Sequence, residues 1–256
     1  MASEELCSSS SRPAAQSTYI FVRVVLVHAV ASLTLASLAQ LFNQIMIKFG
    51  EKVVTQVEGV LLVFLGRYGE MVPAADEGSS GQVELERAGI RKLYMLCLQH
   101  VVSNNCARAL TSERNKGEFW NILAMMMQGV LTEEMSVKKS NMQFFTNLCK
   151  SGAGDEAYWE FVMQQLLVQV VMMMMESKWN VKDAQCSRVA GEFAGLLVVC
   201  KKMKGALFRE FVEALRSYVG GGGKWEAALG MWLAEGVDEP KMKKALVEFL
   251  AAVRQR

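Results

Sequence analysis

Proline is scarce in this chain, three among 256 residues, and histidine scarcer still, with two. A β-sandwich or barrel of this length needs many turn residues and alternating β-branched runs; long buried helices need neither. The two histidines, His28 and His100, lie far apart in apolar helical contexts, which argues against a histidine metal pair or a catalytic base. An excess of one charge is also missing. Lys plus Arg is 28 and Asp plus Glu is 26, a net +2, too little to declare a nucleic-acid binder on charge alone. The six cysteines form no CxxC and no regular framework; set in apolar helical patterns, they read as buried thiols in a reducing compartment. Charged residues make up only 21% against 52% apolar, which excludes disorder for most of the length. What is abundant is Met, Leu, Ala and Val, so the expected class is all-α with much buried surface.

One segment opens alternatives. Val24 to Phe42 carries no formal charge and follows Arg12 and Arg23. By length it could anchor in a membrane, and Ser37-Leu38-Ala39 resembles a peptidase site. Glu4 and Glu5 near the start, and Ser32, Thr34, Ser37 and Gln40 within the run, favour instead a buried helix continuing into Leu41, Ile45 and Phe49. No stable membrane insertion is expected. The serine-rich start, Ser8 to Ser11 with Pro13, is expected to be disordered.

Helical periodicity then recurs. Leu38, Leu41, Phe42, Ile45 and Phe49 share a face that Gly50 ends; Val54, Val57 and Leu61 carry a second helix to about Glu70. Pro73 to Gly81 reads as a solvated loop. Ile90, Tyr94, Cys97 and Val101 mark the third helix, Trp120, Leu123, Met127 and Val130 the fourth, Val137, Met142, Phe145 and Leu148 the fifth. The sixth, about Asp155 to Glu176, is apolar on most sides. Asp183 starts a seventh running to about Met203, an eighth spans Ala206 to Tyr218, and Gly220 to Gly223 precedes the ninth. Asp238-Glu239-Pro240 begins the tenth. Taken in pairs starting near residues 34, 82, 134, 182 and 224, these helices repeat at about the period of HEAT and armadillo arrays. The expected architecture is a HEAT-repeat α-solenoid of about five helix pairs over 34–256, with a closed bundle as the alternative and 1–33 as an atypical leading segment.

Motifs for chemistry fail one by one. Gly220 to Lys224 suggests a phosphate loop, but Tyr218 and Trp225 occupy the positions that need Gly and Ser or Thr, and no strand precedes it. Gly78 to Gly81 lacks nucleophile-elbow spacing. Carboxylates are scattered beside Lys and Arg, and the methionine run Met172 to Met175 reads as adaptable core filling. Neither an enzyme nor a cofactor is expected. Basic residues remain: from Lys182 onward thirteen cations face nine anions, a local balance of +4. Lys201, Lys202 and Lys204 with Arg209 form one cluster and Lys241, Lys243 and Lys244 a second, with Arg254 and Arg256 at the end and Lys138 and Lys139 a smaller group. Each reads as ordinary solvated charge, or, if several align, as a track for a phosphate backbone.

The order of these segments resembles the C-terminal region of exportin-T, the tRNA exportin of the importin-β superfamily. The resemblance is carried by Leu41-Phe42-Asn43-Gln44-Ile45 through Phe49, the apolar helix to Leu65, the acidic loop at Asp76-Glu77, and Arg91, Tyr94 and Leu98. It continues through Met126 to Val130, Phe161-Val162, Asp183-Ala184-Gln185, Lys202-Met203-Lys204-Gly205, and the closing helix with Phe249, Arg254 and Arg256. It implies a solenoid that shuttles between nucleus and cytoplasm, with tRNA and Ran-GTP as partners and nucleoporins as further ones. Recognition is expected through RNA shape and backbone rather than sequence. The family is several times longer, so the chain is expected to be a C-terminal arc without the arch that makes most of the Ran contact. A helical scaffold for protein partners, with no RNA role, is the alternative.

Overall fold

The computed structural model describes residues 35–71, 81–220 and 223–255, and within them every regular element is helical. Each helix anticipated from periodicity is present. The chain divides after Lys116 into two compact units.

In the first unit, α1 (Leu35–Phe49) ends where Gly50 takes a positive φ of 53°, a conformation open to glycine because it has no Cβ. A short 3-10 turn leads into α2 (Val54–Met71), and α3 (Gly81–Ser103) packs on both. Of the uncharged stretch Val24 to Phe42, the described part begins at Leu35 and opens α1, with Ala39 and Phe42 buried. No helix among the described residues is long and apolar enough to cross a membrane. His28 and most of the Pro73 to Gly81 loop lie outside the described residues. Phe42, Phe64 and Tyr94 stack in sequence, with ring centroids 6.3 and 5.1 Å apart, and join one side chain from each helix. The connection after α3 is less solvated than its polar sequence suggests. Cys106, Ala107, Ala109 and Leu110 are buried there, and fully buried Asn115 holds it down, donating to the carbonyls of Ala109 (2.7 Å) and Glu58 (3.1 Å).

His100, in the last turn of α3, is half-buried, and burial lowers its pKa below the usual 6.5. The folded state therefore takes up its proton less readily than the unfolded chain, so stability from this group is present above pH 6.5 and is lost as pH falls below it. Between pH 7 and pH 5 the wild type is expected to lose more thermal stability than His100→Asn, measured as Tm against pH. Parallel curves would show that His100 is not responsible.

The second unit holds α4 (Lys116–Thr132), α5 (Met135–Ser151), α8 (Ala184–Met203), α9 (Gly205–Val219), α10 (Glu226–Leu233) and α11 (Glu239–Val253), together with the apolar sixth segment. That segment is not a plain helix. It runs as α6 (Glu156–Phe161), one wide π turn over Val162–Leu166, and α7 (Leu167–Met175). The extra residue in that turn keeps Phe161, Val162 and Met163 buried together with Leu166 and Leu167. Starts are set by acidic caps: Asp155 accepts from the Tyr158 N–H, Asp183 from those of Gln185 and Cys186, and Asp238 from that of Lys241.

The packing centres on α8. On one side lies α5, running parallel to it: Gln143 and Lys139 reach Glu192, while Lys150, further along α5, borders Val198 and Val199. On the other side lies α11, running antiparallel, since Gly191 faces Lys243, Gly195 faces Glu239 and Lys201 reaches Ala234. A Cβ at position 195 would stand 3.3 Å from a Glu239 carboxylate oxygen, a tight approach that this exposed side chain would relieve by moving a few tenths of an ångström. The last pair expected from the sequence, starting near 224, therefore does not continue the row in the same sense. The short α10 packs on α9 and α11, and α11 is the helix laid on α8, in reverse.

Candidate functional site

The seven basic positions singled out in the sequence, Lys201, Lys202, Lys204, Arg209, Lys241, Lys243 and Lys244, all lie in the second unit, and the structure gives them different occupations. Lys201 is half-buried. Its ammonium donates to the Ala234 carbonyl, which ties the end of α8 to the α10–α11 connection, and burial pushes its pKa below the usual lysine value. Lys204 is the single residue between α8 and α9. It lies 2.7 Å from a Glu156 carboxylate oxygen and 5.9 Å from the Trp159 ring centroid, so it secures α6 to the α8–α9 corner. Lys202, beside them, is exposed, and no carboxylate among the described residues pairs with it; the same is true of Arg209 on α9.

The α11 cluster differs again. Lys241 and Lys244 make loose exposed pairs with Asp238 (3.8 Å) and Glu248 (3.9 Å), of the kind that contributes little to stability. Lys243 lies along Gly191, near the middle of α8. Lys202 sits about 16 Å further up that helix at 1.5 Å per residue. The two clusters thus occupy different stretches of α8 rather than one patch.

The twin lysines 138 and 139 separate as well. Lys139 is half-exposed, 3.7 Å from Glu192. Lys138 is only 7% exposed, and its ammonium donates to the last carbonyls of α4, Val130 (2.9 Å) and Leu131 (2.6 Å). Burial, with the charge of Lys178 second, lowers its pKa. Arg254 does the same for α7, donating to the carbonyls of Met174 and Glu176 at 2.6 and 2.9 Å. Both residues look like surface charge in the sequence and act as helix C-terminal caps in the fold.

A groove of about 340 Å³ runs between α5 and α8 and is closed at one end by the start of α11. Gln143, Asn147, Lys150, Glu192 and Glu239 line it, so both charges are present. Lys150 escaped the sequence reading because it stands eleven residues beyond Lys139, apart from every basic cluster; only the docking of α5 on α8 brings it to the level of Val198 and Val199, one turn before Lys202. Among the described residues no three of His, Cys, Asp and Glu come together as metal ligands. The cysteines Cys97, Cys106, Cys149, Cys186 and Cys200 are buried, and burial lifts the Cys97 thiol to about 12 and, with the charge of Glu51, that of Cys106 to about 11. Such thiols are poor nucleophiles at neutral pH.

A family model described as Exportin-T matches residues 15–253. No curated protein and no solved structure matches the chain.

Proposed function

The chain belongs to the Exportin-T family, and from that premise we propose that it is a helical arc of a nuclear export receptor that binds tRNA together with Ran-GTP and shuttles between nucleus and cytoplasm. The observation that carries the reading is the family match across nearly the whole length. The parallel stacking of α5 and α8, about fifty residues apart, is what a HEAT-type array requires of equivalent helices. Positive charge gathered from Lys182 onward suits contact with a phosphate backbone. In such a carrier both ligands favour one curvature of the array, so each tightens the other. The expected result is tRNA binding that weakens steeply between 50 and 200 mM salt and tightens when Ran-GTP is added. Absence of binding at 50 mM salt, with and without Ran-GTP, overturns it. The mixed charge of the α5–α8 groove favours a second reading, a scaffold for protein partners, and a ribonuclease-insensitive pull-down in a chain that binds no tRNA would select it.

A further inference from the structure

We propose that Lys150 and Lys202 together form a phosphate-backbone contact at the paired C-terminal ends of α5 and α8. This rests on the tRNA-carrier reading and assigns it a place in this chain. The two residues are far apart in sequence, and only one of them belongs to a basic cluster there. The fold brings them together. Helices α5 and α8 run parallel, with Lys139 and Gln143 at the level of Glu192 and Lys150 at the level of Val198 and Val199. Lys202 follows Val198 and Val199 by one helical turn and so shares their face of α8. Each helix therefore ends its exposed edge on a lysine, and the two edges are adjacent.

Availability distinguishes this pair from Lys201 and Lys204, the neighbouring lysines at the same end of α8. Lys150 and Lys202 are both exposed, and no carboxylate among the described residues pairs with either. The surrounding charges are largely engaged with one another. Glu156 is held by Lys204, Glu192 by Gln143 and Lys139, and Lys201 by the Ala234 carbonyl with Glu235 near it. Glu239 lies further back along α8, over Gly195. A polyanion arriving at this edge meets two cations that it need not detach from existing partners. Binding there releases condensed counterions and needs no base contact, which fits recognition of RNA by backbone and shape.

The test is tRNA binding by the whole chain, titrated from 50 to 200 mM salt in the presence of Ran-GTP, for wild type, the double variant Lys150→Gln/Lys202→Gln, and Lys52→Gln, an exposed lysine outside the basic clusters. Glutamine removes charge without adding repulsion, and these lysines are exposed, so unchanged thermal melts are expected. The double variant is expected to bind about tenfold or more weakly at 0.1 M salt, with a log–log salt slope shallower by about 2, while Lys52→Gln stays close to wild type. Wild-type binding that the double variant retains at full strength and slope overturns this contact and leaves the carrier reading standing. An equal loss in Lys52→Gln also overturns it, because the effect would then belong to the general field. Failure of the wild type to bind overturns both.

Discussion

Trp232→Ala lowers the stability of the second unit by about 3–5 kcal/mol, the cost of emptying a fully enclosed aromatic site. Trp232 is 0% exposed on α10 and lies between Phe211 of α9 (6.4 Å) and Phe249 of α11 (5.5 Å). It is the side chain through which the short α10 holds its two neighbours together. A domain of this size has only about 5–15 kcal/mol in hand, so the loss is read as a fall in Tm of about 10 °C or more. Trp232→Phe provides the control. The indole N–H has no acceptor among the described residues, so phenylalanine forfeits volume but no hydrogen bond and costs about 1.5 kcal/mol or less. Equal damage from both variants would mean that the N–H matters, and the packing account would fail.

Lys138→Met tests the second large effect. Methionine keeps most of the buried stem and removes the ammonium, leaving the Val130 and Leu131 carbonyls at the end of α4 without their donor. Two contributions oppose each other. Burial disfavours the charged amine, as its lowered pKa records, while two buried carbonyls and the negative end of a helix favour it. Abandoned buried acceptors cost about 1–3 kcal/mol each, and relief of the buried charge offsets part of that. The expected net loss is about 2 kcal/mol by urea denaturation. Lys139→Met, next in sequence and half-exposed, should change stability by less than about 0.5 kcal/mol. A stabilised Lys138→Met would show that desolvation outweighs the cap.

The contrast between these adjacent lysines shows what the sequence could reveal and what it obscured. Read as a dipeptide they are ordinary surface charge. Read by helical spacing, position 138 falls on the face of Asn141, Met142, Phe145 and Cys149, all buried, so the signal was present in the periodicity. Lys201 and Lys204 offered no such warning. They stand at a helix end and a helix joint, and their partners, Ala234 and Glu156, lie more than thirty residues away in opposite directions. The candidate cluster in the sequence was thus partly dispersed by the fold: Lys201 and Lys204 hold corners, while Lys150, which the sequence reading did not single out, comes to lie at the level of Val198 and Val199.

Several helix limits, by contrast, were legible. Asp155, Asp183 and Asp238 stop the chain from fraying at three starts, and Gly50 and Gly152, both with positive φ, mark two ends. These are interactions across four or five residues, so the local sequence contains both partners. The apolar stripes likewise decided which face of each helix is buried, and the ordered set of segments was enough to indicate the family. The scarcity of proline and of one-sided charge established a long-helix protein and withheld its purpose. Tertiary structure alone decided that α8 lies parallel to α5 and antiparallel to α11, that the sixth segment takes a π turn, and which lysines remain open to a ligand. Those outcomes depend on side chains about fifty residues apart competing for the same faces. An apolar stripe specifies that a face must be covered, but many stripes of similar width could cover it, and only the packed chain selects one.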